Sequence, residues 1–153
     1  MLLYLVQHGE ASPETVDPAR GLTLRGASDV KKVAIPAGAL NFPFKRILHS
    51  RKKRAAQTAE ILAEYLMKDP VLQQVEGLLP NDDPLLWVER LRTMSENTAL
   101  VGHLPHLARL SSALFCGDPD RPIISFHMAG IVCMTRSTTG WAIEWIMTPD
   151  TVS

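Results

Sequence analysis

The opening residues constrain this chain more than any other feature. Leu2-Leu3-Tyr4-Leu5-Val6 is an unbroken apolar run closed by Gln7-His8-Gly9. A strand with one wet face alternates polar and apolar residues; a continuous run reads as a strand covered on both faces. The pattern recurs at Arg46-Ile47-Leu48-His49, which runs into Ser50, and at Thr98-Ala99-Leu100-Val101-Gly102, which ends at His103. Helical spacing follows each. Thr23 is expected to cap a helix with Leu24, Ala27, Val30 and Ala34 inward and Pro36 as its stop. Ser50 is expected to cap a second, with Ala55, Ala59, Leu62, Ala63 and Leu66 on one face. Asp83-Pro84 opens a third, carrying Trp87, Leu91 and Met94, and Pro105 a fourth, with Leu107, Leu110 and Leu114 inward. Val71 to Val75 reads as a short edge strand. Gly130 to Arg136 and Trp141 to Met147 read as a hairpin. Strands alternating with helices and then a hairpin imply an α/β layer fold with a mixed sheet.

Composition removes several classes of function. The 153 residues suit a single domain spanning 1–153, and 46% apolar against 21% charged residues excludes disorder. Sixteen basic and sixteen acidic side chains cancel, which argues against a dedicated nucleic-acid binder. Two cysteines, Cys116 and Cys133, make no disulfide framework or zinc motif and are expected to be buried thiols. There is no basic leader and no 18-residue apolar stretch. The expectation is a cytoplasmic protein without membrane or nucleic-acid partners. Trp87, Trp141 and Trp145 read as packing residues, and His49, His106 and His127 as structural or exposed.

In open α/β sheets, sites form beyond the carboxyl ends of the strands, where loops meet helix starts. His8, the segment Ser50 to Arg54, and His103 converge there. Lys45, Arg46, Arg51, Lys52, Lys53 and Arg54 make six basic residues with no acidic one between them. No aromatic residue interleaves with this run, so base stacking is unsupported. Two imidazoles and a basic helix start on one rim suit an anion, with a phosphoryl group as the natural guest.

These residues also carry a resemblance. Leu5-Val6-Gln7-His8-Gly9-Glu10-Ala11 resembles the RHG motif of the histidine phosphatase superfamily, in its phosphoglycerate-mutase-like branch. Ser50-Arg51-Lys52-Lys53-Arg54-Ala55-Ala56-Gln57-Thr58 resembles that branch's second motif, and Val101-Gly102-His103 its third. Arg20-Gly21-Leu22-Thr23, Leu79-Pro80-Asn81-Asp82-Asp83-Pro84 and Gly102-His103-Leu104-Pro105 are similar to segments of the SixA-like phosphohistidine phosphatases. The likeness spans roughly residues 2 to 148. It implies a three-layer sandwich with a mixed, mostly parallel sheet. It also implies His8 as a nucleophile that is transiently phosphorylated, with Arg54 and Arg20 on the equatorial oxygens and His103 stabilising the same charge. Gln7, Gly9, Ser50 and Arg51 would complete the phosphate site. No metal and no cofactor is implied. The partner would be a phosphohistidine protein, such as a histidine-phosphotransfer domain, or a small phosphorylated molecule.

Two departures stand out. Gln7 replaces the motif arginine, and Arg51 replaces a proline, removing one cation and adding another nearby. The general acid carried on an insertion in larger members has no counterpart here. Glu10, Glu76, Asp82 and Asp83 are the acidic candidates, Glu10 and Asp82 foremost. A protonated imidazole leaves without such an acid, whereas an alkyl phosphate needs one. Three readings follow: a phosphohistidine phosphatase, a phosphatase of small phosphoesters, or a phosphate-binding module weakened by Gln7.

Overall fold

A computed structural model describes residues 1–40, 43–69 and 71–152. In chain order the elements are β1 (Leu2–Gln7), α1 (Leu24–Ala39), β2 (Arg46–His49), α2 (Lys53–Leu66), β3 (Leu72–Gln74), α3 (Leu85–Thr93), β4 (Thr98–Gly102), α4 (His106–Cys116), β5 (Ile131–Ser137) and β6 (Gly140–Met147). The strands form one sheet in the order β3-β2-β4-β1-β5-β6. Strands β3, β2, β4 and β1 are mutually parallel, while β5 runs antiparallel to both of its neighbours, β1 and β6.

The apolar runs are buried on both faces because consecutive side chains serve different layers. Tyr4, Val6, Ile47, Ala99 and Val101 pack with α1 and α2, through Val30, Val33, Ala34, Ala55, Ala59 and Leu62. Leu3, Leu5, Leu48 and Leu100 pack with α3 and α4, through Trp87, Leu91, Leu107 and Leu110. The result is the expected three-layer α/β sandwich.

Several local expectations shift. Pro36 lies inside α1, which continues to Ala39 because Ala37 still falls on the buried stripe. Leu24 faces outward, 93% exposed. The inward stripe is Gly26, Val30, Val33, Ala34 and Ala37, and Leu24 lies two residues, more than half a turn, from its start. Gly26 leads because the Glu10 carbonyl abuts it; a Cβ there would sit 2.1 Å from that oxygen. Ser50 does not cap α2, whose N-cap is Lys52. Pro84 takes the N-cap position of α3, with Asp83 Oδ1 accepting from the Leu85 N–H at 3.0 Å. Cys133 is buried as expected, but Cys116, at the end of α4, is exposed.

Candidate active site

Strands β1 and β4 are parallel neighbours, with Gln7 opposite Gly102. The residue after each is a histidine, so His8 and His103 leave the sheet side by side, with ring centroids 5.0 Å apart. The His8 N–H donates to the Gly102 carbonyl at 3.1 Å, continuing the ladder one residue beyond the strand. The Ala129 N–H closes the other side, shared between the carbonyls of Gln7 (3.0 Å) and His8 (3.2 Å).

The two rings are held differently. His8 Nδ1 lies 2.7 Å from the Gly9 carbonyl, an acceptor only, so Nδ1 carries the proton. Nε2 is left with its lone pair and accepts from Arg54 Nε at 3.4 Å. Burial, and then the charges of Arg54 and Arg20, hold this imidazole below the usual histidine pKa, against the opposing pull of the Gly9 carbonyl. His103 is almost wholly buried, with Nε2 bonded to Ser50 Oγ at 2.6 Å. Burial foremost, then His8, Arg54, Lys52 and His106, pushes its pKa down to about 3. Both rings are therefore neutral at pH 7.

Gly9 leaves no room for a side chain: a Cβ would lie 2.8 Å from the Gly26 carbonyl oxygen. Its N–H donates to Thr58 Oγ1 at 3.1 Å. Thr58 in turn donates to the Arg54 carbonyl at 2.8 Å, joining the His8 turn to the first turns of α2. Arg54 is itself buried, and burial followed by the charge of Arg20 lowers its pKa. The Arg54 guanidinium therefore bears on a neutral nitrogen lone pair that also feels the charge of Arg20, and an anion at this point would relieve the repulsion between the two cations.

The structure brings His8, Gly9, Arg20, Ser50, Arg54 and His103 together. Gln7 is buried at the end of β1, and its Oε1 has no hydrogen-bond partner. Arg51 is exposed; the cations whose charge reaches His103 are Arg54 and Lys52. Glu10 accepts from the Thr23 hydroxyl at 2.9 Å, and Asp82 accepts from the Leu79 N–H at 2.9 Å. Both carboxylates thus hold loops. Sequence reasoning set Lys52 in the basic segment that opens α2 and Thr58 in the second motif without giving either a contact, and it did not single out Asp17, whose carboxylate accepts from the Ala19 and Gly21 N–H groups. The Asp17 signal was a carboxylate followed closely by an Arg-Gly pair in a loop, which suits side-chain acceptance from nearby amides. Among the described residues no cluster of three or more His, Cys, Asp or Glu could hold a metal ion, and no helix is long and apolar enough to cross a membrane.

No family model matches the chain. An uncharacterized protein of Picosynechococcus sp. (strain PCC 7002) is 34% identical over 139 residues, covering 86% of this chain and 83% of that protein. Among solved structures, the protein histidine phosphatase SixA complexed with tungstate matches with a TM-score of 0.85 at 22% identity, over 98% of both chains. A mutant phosphoserine phosphatase from Entamoeba histolytica in complex with phosphoserine matches with a TM-score of 0.71 at 15% identity, over 97% of both. At these identities the likeness to solved structures is one of fold.

Proposed function

We infer from a chain that has the fold of the histidine phosphatase SixA, and that belongs to one family with the Picosynechococcus protein, a phosphatase working through a phosphohistidine intermediate on His8. One observation carries this reading. The Nδ1 proton of His8 is committed to the Gly9 carbonyl, so a neutral Nε2 lone pair stands beside the Arg54 guanidinium and within the field of Arg20. That is a nucleophile placed where the phosphoryl oxygens find their counter-charge. In the first step Nε2 forms a bond to phosphorus as the bond to the leaving group breaks. The nonbridging oxygens carry the charge of the transition state, and Arg54 and Arg20 are positioned donors for it. In the second step water attacks phosphorus, the P–N bond to His8 breaks, and inorganic phosphate leaves as Nε2 regains its lone pair.

The acids favour one substrate class over another. Glu10 and Asp82 are occupied in loop contacts, so neither is a free proton donor to a leaving group. A phosphohistidine leaves as an imidazole protonated beforehand, and a protein carrying that group, such as a histidine-phosphotransfer domain, is the substrate that best suits this site. The enzyme would act in the cytoplasm. A second reading, a phosphatase of small phosphoesters, would need an acid from the substrate itself or from solvent.

Alkaline quenching of the wild type during turnover should trap an acid-labile phosphoenzyme, and His8→Ala should lose both the trap and about 10⁴-fold or more of kcat. Full turnover by His8→Ala would sink the mechanism. Phosphohistidine protein and phosphoserine, offered in parallel, separate the two substrate classes.

A further inference from the structure

Arg20 belongs to neither a strand nor a helix, yet the candidate site depends on where its charge lies. It sits in the segment between β1 and α1, at φ +50°, a left-handed conformation that side-chain-bearing residues avoid. Such a residue persists only where its surroundings over-determine it. Here Asp17 makes most of the contacts, beside the Ser12 N–H, which donates to the Gly21 carbonyl at 2.8 Å. Asp17 Oδ1 accepts from the Ala19 N–H at 3.0 Å, the Asp17 carbonyl from the Arg20 N–H at 2.9 Å, and Asp17 Oδ2 from the Gly21 N–H at 2.8 Å. Three consecutive amides, centred on Arg20, thus end on a single aspartate.

The clasp is tied to α2 on its far side. Lys53 Nζ lies 3.7 Å from Asp17 Oδ2, and the Leu22 N–H donates to Gln57 Oε1 at 2.7 Å. A Cβ on Gly21 would meet Lys53, Asp17 and Gln57 at 3.0–3.1 Å, so the three side chains close on that backbone. The Arg20 side chain folds back as well, Nε donating to the Ser12 carbonyl at 3.2 Å. Lys53 and Gln57 flank Arg54 on the same helix. The clasp therefore registers Arg20 against the other guanidinium of the site.

We propose that Asp17 is a positioning residue, holding the 19–21 backbone to α2 so that Arg20 and Arg54 grip one anion together. Asp17 touches no substrate; it acts through Arg20. The Gly21 and Ala19 amides, followed by Lys53, keep its carboxyl below the usual carboxylate range, so the clasp stays charged through neutral pH. This deepens the phosphatase reading and rests on it for the identity of the anion.

The test is a double-mutant cycle on inorganic phosphate binding, read from amide shifts at His8 and Arg54, with kcat/KM measured in parallel. Asp17→Ala should weaken phosphate about tenfold while the thermal midpoint stays close to wild type. Arg20→Ala should weaken it at least as much, and the double variant no further than Arg20→Ala alone. Asp17→Asn, which keeps one acceptor oxygen, should fall between wild type and Asp17→Ala. Additive effects, or an Asp17→Ala protein that binds phosphate as wild type does, would overturn the clasp and leave the phosphatase reading standing. Phosphate bound with the expected cycle but never turned over would do the reverse. A wild type that binds no phosphate would overturn both.

Discussion

The two faces of the sheet are built from different stock. On one face the helices α1 and α2 present mostly small buried side chains, Val30, Val33, Ala34, Ala37, Ala55, Ala59 and Ala63, with Leu62 the larger exception. On the other face α3 and α4 present larger ones, Trp87, Leu91, Leu107 and Leu110, against Leu3, Leu5, Leu48 and Leu100 of the strands. Small side chains let backbones approach closely, as Gly9 and Gly26 do, and that approach brings the starts of α1 and α2 down to the strand ends. Arg20 and Arg54 arrive from this side. The leucine face contributes mass and a neutral imidazole, His103, just ahead of α4. One side positions charge and the other holds the fold.

That division can be broken most sharply on the leucine face. Leu110→Ala should cost about 2–5 kcal/mol of unfolding free energy in urea, with kcat/KM of the folded protein close to wild type. Arg54→Ala should do the opposite, lowering kcat/KM by roughly 10²–10³ with a smaller change in stability. If both variants lose activity and stability together, the two faces are not separable.

A pH titration reads the neutral imidazole. Folded His103 has its pKa pushed down to about 3 from 6.5, so below pH 6.5 the unfolded chain takes up a proton that the folded one refuses. Its contribution is intact above pH 6.5 and is lost progressively as pH falls toward 3. At pH 5 the loss is about 2 kcal/mol. His8 and His106 are shifted in the same direction, chiefly by burial, and add to the slope. Urea midpoints at pH 7 and pH 5 should differ accordingly, and His103→Asn should flatten the dependence. An unchanged slope in that variant would mean that His103 is charged in the fold.

The smallest effect concerns the charge missing at the end of β1. Exchanging a neutral for a charged hydrogen bond is worth on the order of 1–2 kcal/mol, so Gln7→Arg should raise kcat/KM by roughly 5–30-fold. Lys52→Ala should then cost more in the Gln7 background than Arg51→Ala, because Lys52 is the neighbour whose charge reaches His103. A larger loss from Arg51→Ala would return the role to Arg51, and equal losses would divide it.

Much of this architecture was legible because its signals are local. Tyr4 and Leu5 serve opposite faces, and an apolar run of that kind has few other uses. His8, His103 and Arg54 were legible because each stands at the edge of an element. What escaped depended on contacts distant in sequence. Leu24 has the right spacing for a core position, but the approach of Glu10 to Gly26 turns the helix away from it. Ser50 looks like a cap, but the N-cap falls two residues later, at Lys52, and the serine hydroxyl, which accepts from the Lys52 N–H at 3.3 Å, is also bonded to His103, the residue after β4. Gln57 and Thr58 reveal their partners, Leu22 and Gly9, only once α2 lies against the loop.

The position of β1 within the sheet also sets an order of events in the cell. It lies between β4 and β5, so its neighbours are residues 98–102 and 131–137. Translation at about 5–20 residues per second places an interval on the order of 5–20 s between synthesis of β1 and of β4. During that wait an apolar strand has neither of its partners, and His8 has no His103 beside it. A nascent chain halted before β4 would be a sticky fragment without the paired histidines, and the two imidazoles come together only as translation nears its later stages.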